Sequence, residues 1–147
     1  MHRRDHVMKS RVVLVGAGGV AKHYANLFAK DANFEVVAVV DVDLLRAEVQ
    51  SKDWGAKFFV SLSDALDHCP AEVAIITTPS GFHYQNVKQA LGLGLHVIVE
   101  KPISLRLTET EELIQLAREK KLYLLPVYQN RSNSAVIWTL DNIGEIG

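Results

Sequence analysis

The stretch Val12-Val13-Leu14-Val15-Gly16-Ala17-Gly18-Gly19-Val20-Ala21 decides the fold. Its first four residues are aliphatic without a polar break, as in a strand covered on both faces. Glycines then interrupt the run, and Val20, Ala21, Tyr24, Ala25 and Phe28 recur at the spacing of one helix face. A glycine loop between a strand and a helix start has a specific physical use. Gly16 permits the tight turn, Gly18 lets backbone amides approach a pyrophosphate, and Ala21 holds the third small position where helix and strand pack closely. The helix N-terminus adds unpaired N–H groups and partial positive charge. A dinucleotide pyrophosphate is therefore expected over Gly16, Gly18 and Gly19, with Val20 and Ala21 opening the helix beneath it.

The rest of the chain repeats this alternation. Apolar runs at Val12–Val15, Val36–Val40, Phe58–Val60, Val73–Thr77, Val97–Val99 and Leu122–Val127 are separated by segments of helical period, including one that carries Val87, Ala90 and Leu91. Alternating β and α segments indicate a doubly wound, mainly parallel sheet in a three-layer α/β/α arrangement. Thr108-Glu109-Thr110-Glu111 reads as a capping box. Leu113, Leu116 and Ala117 form the stripe that follows, with Arg118, Lys120 and Lys121 at the helix C-terminus. Ser132 to Ile143 reads as one more helix, and Trp54 and Trp138 read as packing residues.

Asp41 ends the second apolar run, twenty residues past Ala21. A carboxylate there can accept from both hydroxyls of an adenosine ribose and repels a 2′-phosphate, which favours NAD over NADP. Arg46 follows closely and softens that preference, because it could pair with a phosphate. Sixteen Lys and Arg balance seventeen Asp and Glu among 147 residues, so no positive field gathers nucleic acid or an anionic membrane. No apolar run is long enough to span a bilayer. The lone Cys69 has no disulfide partner and no metal-ligand spacing around it, which fits a reducing cytoplasm. Residues 1–9 read as a frayed leader, and 10–147 as one dinucleotide-binding domain.

Two further segments point to a family. Thr77-Thr78-Pro79-Ser80-Gly81-Phe82-His83 follows the fourth apolar run and Glu100-Lys101-Pro102 closes the fifth. With the glycine loop, these resemble the glucose-fructose oxidoreductase, inositol dehydrogenase and rhizopine-catabolism (Gfo/Idh/MocA) family. The resemblance implies the N-terminal, Rossmann-type half of an NAD(P)-dependent dehydrogenase acting on a sugar, cyclitol or sugar nucleotide. It implies that Thr78 and Pro79 line the cofactor and that Glu100 belongs to the same site. Lys101 is implied as the catalytic acid–base group that takes the proton of the hydroxyl being oxidised, with a cis Lys101–Pro102 bond aiming it inward. His83 reads equally as a cofactor neighbour or as a helix-capping residue. Gln129 and Arg131, in a stretch after the sixth run, are the implied contacts near the nicotinamide. In the family a second domain supplies the remaining substrate contacts and usually the dimer surface. That half is expected to lie outside this chain, as is a homo-oligomer interface. Two alternatives share the scaffold: a glycosidase that keeps NAD bound, and a nucleotide-binding module without catalysis.

Overall fold

The computed structural model describes residues 9–28, 31 and 33–146, so most of the expected leader lies outside the described residues. Six strands form one sheet: β1 (Ser10–Val15), β2 (Phe34–Val40), β3 (Lys57–Phe59), β4 (Val73–Ile76), β5 (His96–Val99) and β6 (Leu124–Pro126). Their order is β3-β2-β1-β4-β5-β6 and every neighbouring pair is parallel. The connecting helices are α1 (Gly19–Phe28), α2 (Leu44–Ser51), α3 (Leu62–His68), α4 (His83–Gly92) and α5 (Leu107–Lys120), followed by α6 (Ser134–Asp141) and α7 (Ile143–Ile146).

The unbroken apolar runs are explained by a core on each face of the sheet. Val13 and Val15 of β1 join Ala74, Ile76, Val97 and Val99 against Leu62, Val87, Leu91 and Leu113. Their neighbours Val12 and Leu14 point the other way, into a cluster with Ala21, Tyr24, Val39, Ala47 and Ile75. Strand side chains alternate between faces, so a strand covered on both sides needs apolar residues at every position. Cys69 is buried and unpaired within the first cluster.

The expected strands are found with ends shifted by a residue or two. The largest change is at β6, which shrinks from Leu122–Val127 to Leu124–Pro126. Proline has no N–H to give, and it is tolerated here because β6 lies at the sheet edge.

Four other expectations are corrected. The capping box at Thr108 and Glu111 does not form, because α5 starts two residues earlier than that cap requires, at Leu107 with Arg106 as its N-cap. Its entry is instead held by Ser104 Oγ, which donates to the Arg106 carbonyl and lies 2.8 Å from the Thr110 hydroxyl. The helix expected over Ser132 to Ile143 is a short 3-10 turn at Gln129–Ser132 followed by α6 and α7, with Asn133 capping α6 through the Ala135 amide. Val20 lies outside the buried stripe of α1 at 45% exposure, because it sits at the open first turn. Trp138 is 61% exposed rather than packed, whereas Trp54 does lean on the second cluster.

Candidate cofactor site

Parallel strands all end on the same side, so the loops after β1, β2, β4, β5 and β6 form one row. Most candidate residues lie along it: Gly16 and Gly18 after β1 with Gly19 opening α1, Asp41 after β2 with Arg46 in the first turn of α2, and Thr78 and Pro79 after β4. Glu100 and Lys101 follow β5, and Gln129 and Arg131 follow β6. The order reverses between β1 and β4, since β2 lies on one side of β1 and β4 on the other. Ligands of open α/β sheets collect in the crevice at such a reversal.

The glycine loop is built from two kinds of glycine. Gly16 has φ +101°, and a Cβ there would fall 2.7 Å from the Thr78 backbone nitrogen. Only glycine fits. The turn is tied to both neighbouring strands: the Gly16 N–H donates to the Val40 carbonyl at 2.8 Å, and the Thr77 hydroxyl donates to the Gly16 carbonyl at 2.7 Å. At Gly18 and Gly19 a Cβ would meet nothing within 4 Å. Those two positions are smooth toward open space, a cradle that a side chain would fill and that suits close approach of a pyrophosphate. Ala21 is fully buried behind the loop, where a larger side chain would push α1 off the sheet.

Asp41 forms the lip of this cradle. One carboxylate oxygen accepts from the Ala17 N–H at 2.7 Å and the other from the Asp43 N–H at 2.8 Å. The group is thereby fixed between the glycine loop and the entry to α2. Asp43, which sequence reasoning passed over, caps α2 by accepting from the Leu45 and Arg46 amides. Arg46 is held against Asp43 at 3.2 Å and is largely solvated. An exposed pair of this kind is weak, so it leaves Arg46 able to move.

On the other side of the glycine loop, after β4, Thr78 accepts a hydrogen bond from Asn86 Nδ2 through its hydroxyl at 3.0 Å. His83 comes to the same place but lies beneath the surface at 1% exposure. Its two ring nitrogens are 2.6 Å from the Pro102 carbonyl and 2.7 Å from the Thr78 carbonyl. The imidazole thus ties the loop after β4 to the segment that follows Lys101, from beneath the surface. The Lys101–Pro102 bond is cis. Lys101 is exposed and Glu100 half-buried.

Glu100 has its backbone N–H bonded to the Ile76 carbonyl, and its Oε1 accepts from the Tyr24 hydroxyl at 2.9 Å. Tyr24 entered the sequence analysis only as a packing residue. A signal was available there, because a buried tyrosine normally finds a partner for its hydroxyl. Burial first, and the Glu100 hydrogen bond second, push this phenol well above the ordinary tyrosine range. It stays neutral and donates. Gln129 and Arg131 lie on an exposed turn past β6, with the Arg131 guanidinium 5.9 Å from the centre of the Tyr128 ring. They stand at the far rim, apart from the cradle.

Among the described residues no group of His, Cys, Asp and Glu could hold a metal ion. No described helix is long and apolar enough to cross a membrane.

The fold and the loop row define a Rossmann-type nucleotide-binding unit. The chain belongs to the Gfo/Idh/MocA family: the model described as "Oxidoreductase family, NAD-binding Rossmann fold" matches residues 10–128. It is 35% identical over 107 residues to the inositol 2-dehydrogenase of Leifsonia xyli, covering 72% of this chain and 32% of that protein. Glucose-6-phosphate 3-dehydrogenase of Bacillus subtilis is 33% identical over 99 residues, 67% of this chain and 28% of that protein. The WlbA dehydrogenase of Bordetella pertussis, solved with NADH and UDP-GlcNAcA, matches with a TM-score of 0.87 at 29% identity, over 94% of this chain and 40% of that one. The chain therefore spans well under half the length of these relatives.

Proposed function

We propose that the chain binds NAD and is the cofactor half of a dehydrogenase that oxidises a secondary alcohol of a sugar, cyclitol or sugar nucleotide. The observation that carries this is the pairing of an open glycine cradle with a fixed acidic lip, on the same row of strand ends as Lys101. When bound, the nicotinamide supplies the hydride acceptor. This chain's residues do the rest of the local work. The Gly18 and Gly19 backbone receives the pyrophosphate, and Asp41 accepts from the adenosine ribose and disfavours a 2′-phosphate. Lys101 accepts the hydroxyl proton as the carbinol carbon gives up its hydride, so proton and electron pair leave the substrate by separate routes.

Thr78 and Pro79 flank that end, with Asn86 and His83 holding Thr78. A single base does not orient an alcohol carbon, and we propose that the remaining substrate surface, and any homo-oligomer interface, belong to a further half like that of the longer relatives. Buried, unpaired Cys69 suits a reducing cytoplasm.

The test uses a protein that joins this chain to such a half. NADH formation is followed with a panel of free sugars, inositols and UDP-sugars, for the wild type and for Lys101→Ala. The expected result is net NADH from at least one class, with the Lys101→Ala rate down by about 10²-fold or more, the range of a general base. Glycoside cleavage without net NADH contradicts the dehydrogenase reading in favour of the NAD-retaining glycosidase.

A further inference from the structure

The bond between Tyr24 and Glu100 joins two parts of the site that are 76 residues apart in sequence. Tyr24 lies on α1, the helix that opens at the glycine cradle, and Glu100 immediately precedes Lys101. The phenol is 7% exposed and its ring stacks on Phe28 with centroids 6.0 Å apart, so the hydroxyl has little freedom to turn elsewhere. The Glu100 main chain is likewise fixed, through its N–H to Ile76 of β4. Among the described residues only Tyr24 bonds the carboxylate. With Oε1 engaged by Tyr24, the swing of the carboxylate is restricted and Oε2 remains as an acceptor at the carboxyl end of β5.

We propose that Tyr24 is a positioning residue: by holding Glu100 Oε1 it presents Oε2 to a hydroxyl of the cofactor's nicotinamide-side ribose. The inference rests on the proposed NAD-binding role. A merely structural strut between α1 and β5 would look the same in the free protein but would behave differently toward ligands of different length. ADP engages only the cradle and the Asp41 lip. ADP-ribose and NADH add the second ribose, the portion Glu100 is placed to meet.

The experiment measures ADP, ADP-ribose and NADH binding to the 147-residue chain by calorimetry and NADH fluorescence, for wild type, Tyr24→Phe, Glu100→Ala and the double variant. Tyr24→Phe keeps the stacked ring and removes only the hydroxyl. The expected result is a loss of about 3- to 10-fold in affinity for ADP-ribose and NADH, the scale of one hydrogen bond, with ADP unchanged. Adding Tyr24→Phe to Glu100→Ala should then cost nothing more. Equal weakening of all three ligands would show damage to α1 and overturn the inference, as would unchanged NADH affinity in Tyr24→Phe. Both leave the nucleotide-binding reading intact. A wild type that binds neither ADP nor NADH would remove that reading, and this inference with it.

Discussion

At the residue scale, the site depends on what a carboxylate and a phenol can do when their surroundings are fixed. Both Asp41 oxygens are held by backbone amides, at 2.7 and 2.8 Å, so the charge cannot swing away from the lip of the glycine cradle. Asp41→Ala is expected to move the ratio of NAD to NADP affinity toward NADP by about 1–3 kcal/mol, the worth of hydrogen bonds to a charged group. Parallel titrations with NADH and NADPH measure it. An unmoved ratio assigns the choice to Arg46 or another neighbour.

Tyr24 gives a pH signature. Its folded phenol holds its proton more tightly than an unfolded one, so the stability this contributes is complete below about pH 10, the ordinary tyrosine value, and is lost as pH rises through the higher folded value. Wild type should therefore exceed Tyr24→Phe in thermal stability by a constant margin up to about pH 9, and the margin should shrink above pH 10. A margin independent of pH to 11 contradicts the neutral, donating phenol.

At the scale of elements, legibility followed how local the signal is. The buried strands are readable because covering both faces leaves Val12–Val15, Val36–Val40, Val73–Ile76 and Val97–Val99 without a polar residue to disguise them. The glycine loop was readable because strand, loop and helix are contiguous. Residues whose roles depend on distant partners were not. The sequence suggests Asp41 as a ribose contact, but its grip on Ala17 spans 24 positions and is not legible there. Sequence alone leaves His83 between two roles, because its partners Thr78 and Pro102 meet only in the folded chain. The capping box failed for a local reason: Thr108 and Glu111 fit the pattern, but α5 begins at Leu107 and its entry is stabilised by Ser104. This helix supplies a clean stability test. Leu113 is fully buried against Val87, Leu91 and Val97, and Leu113→Ala should cost about 2–5 kcal/mol of unfolding free energy. Chemical denaturation reads this directly. A loss below about 1 kcal/mol would mean that α5 is not packed on the core.

For the whole molecule, the central claim is that 147 residues form a cofactor half whose cradle receives a dinucleotide pyrophosphate. Catalysis should not follow from it alone. Orientation supplies on the order of 7–11 kcal/mol in favourable cases, and an exposed Lys101 without a facing substrate surface cannot provide it. Turnover by this chain with the sugar panel should be undetectable, and brisk NADH formation would overturn the division of labour. The most direct measurement of the claim compares NADH binding by wild type, Gly18→Val and Gly16→Val, with thermal melting of each. Gly16→Val should destabilise the fold, since its Cβ would collide with the Thr78 backbone. Gly18→Val faces open space in the free protein, so it should melt like wild type while NADH affinity falls by at least about tenfold, a difference of about 1.4 kcal/mol. Equal NADH binding by wild type and a well-folded Gly18→Val would contradict the assignment of the glycine loop.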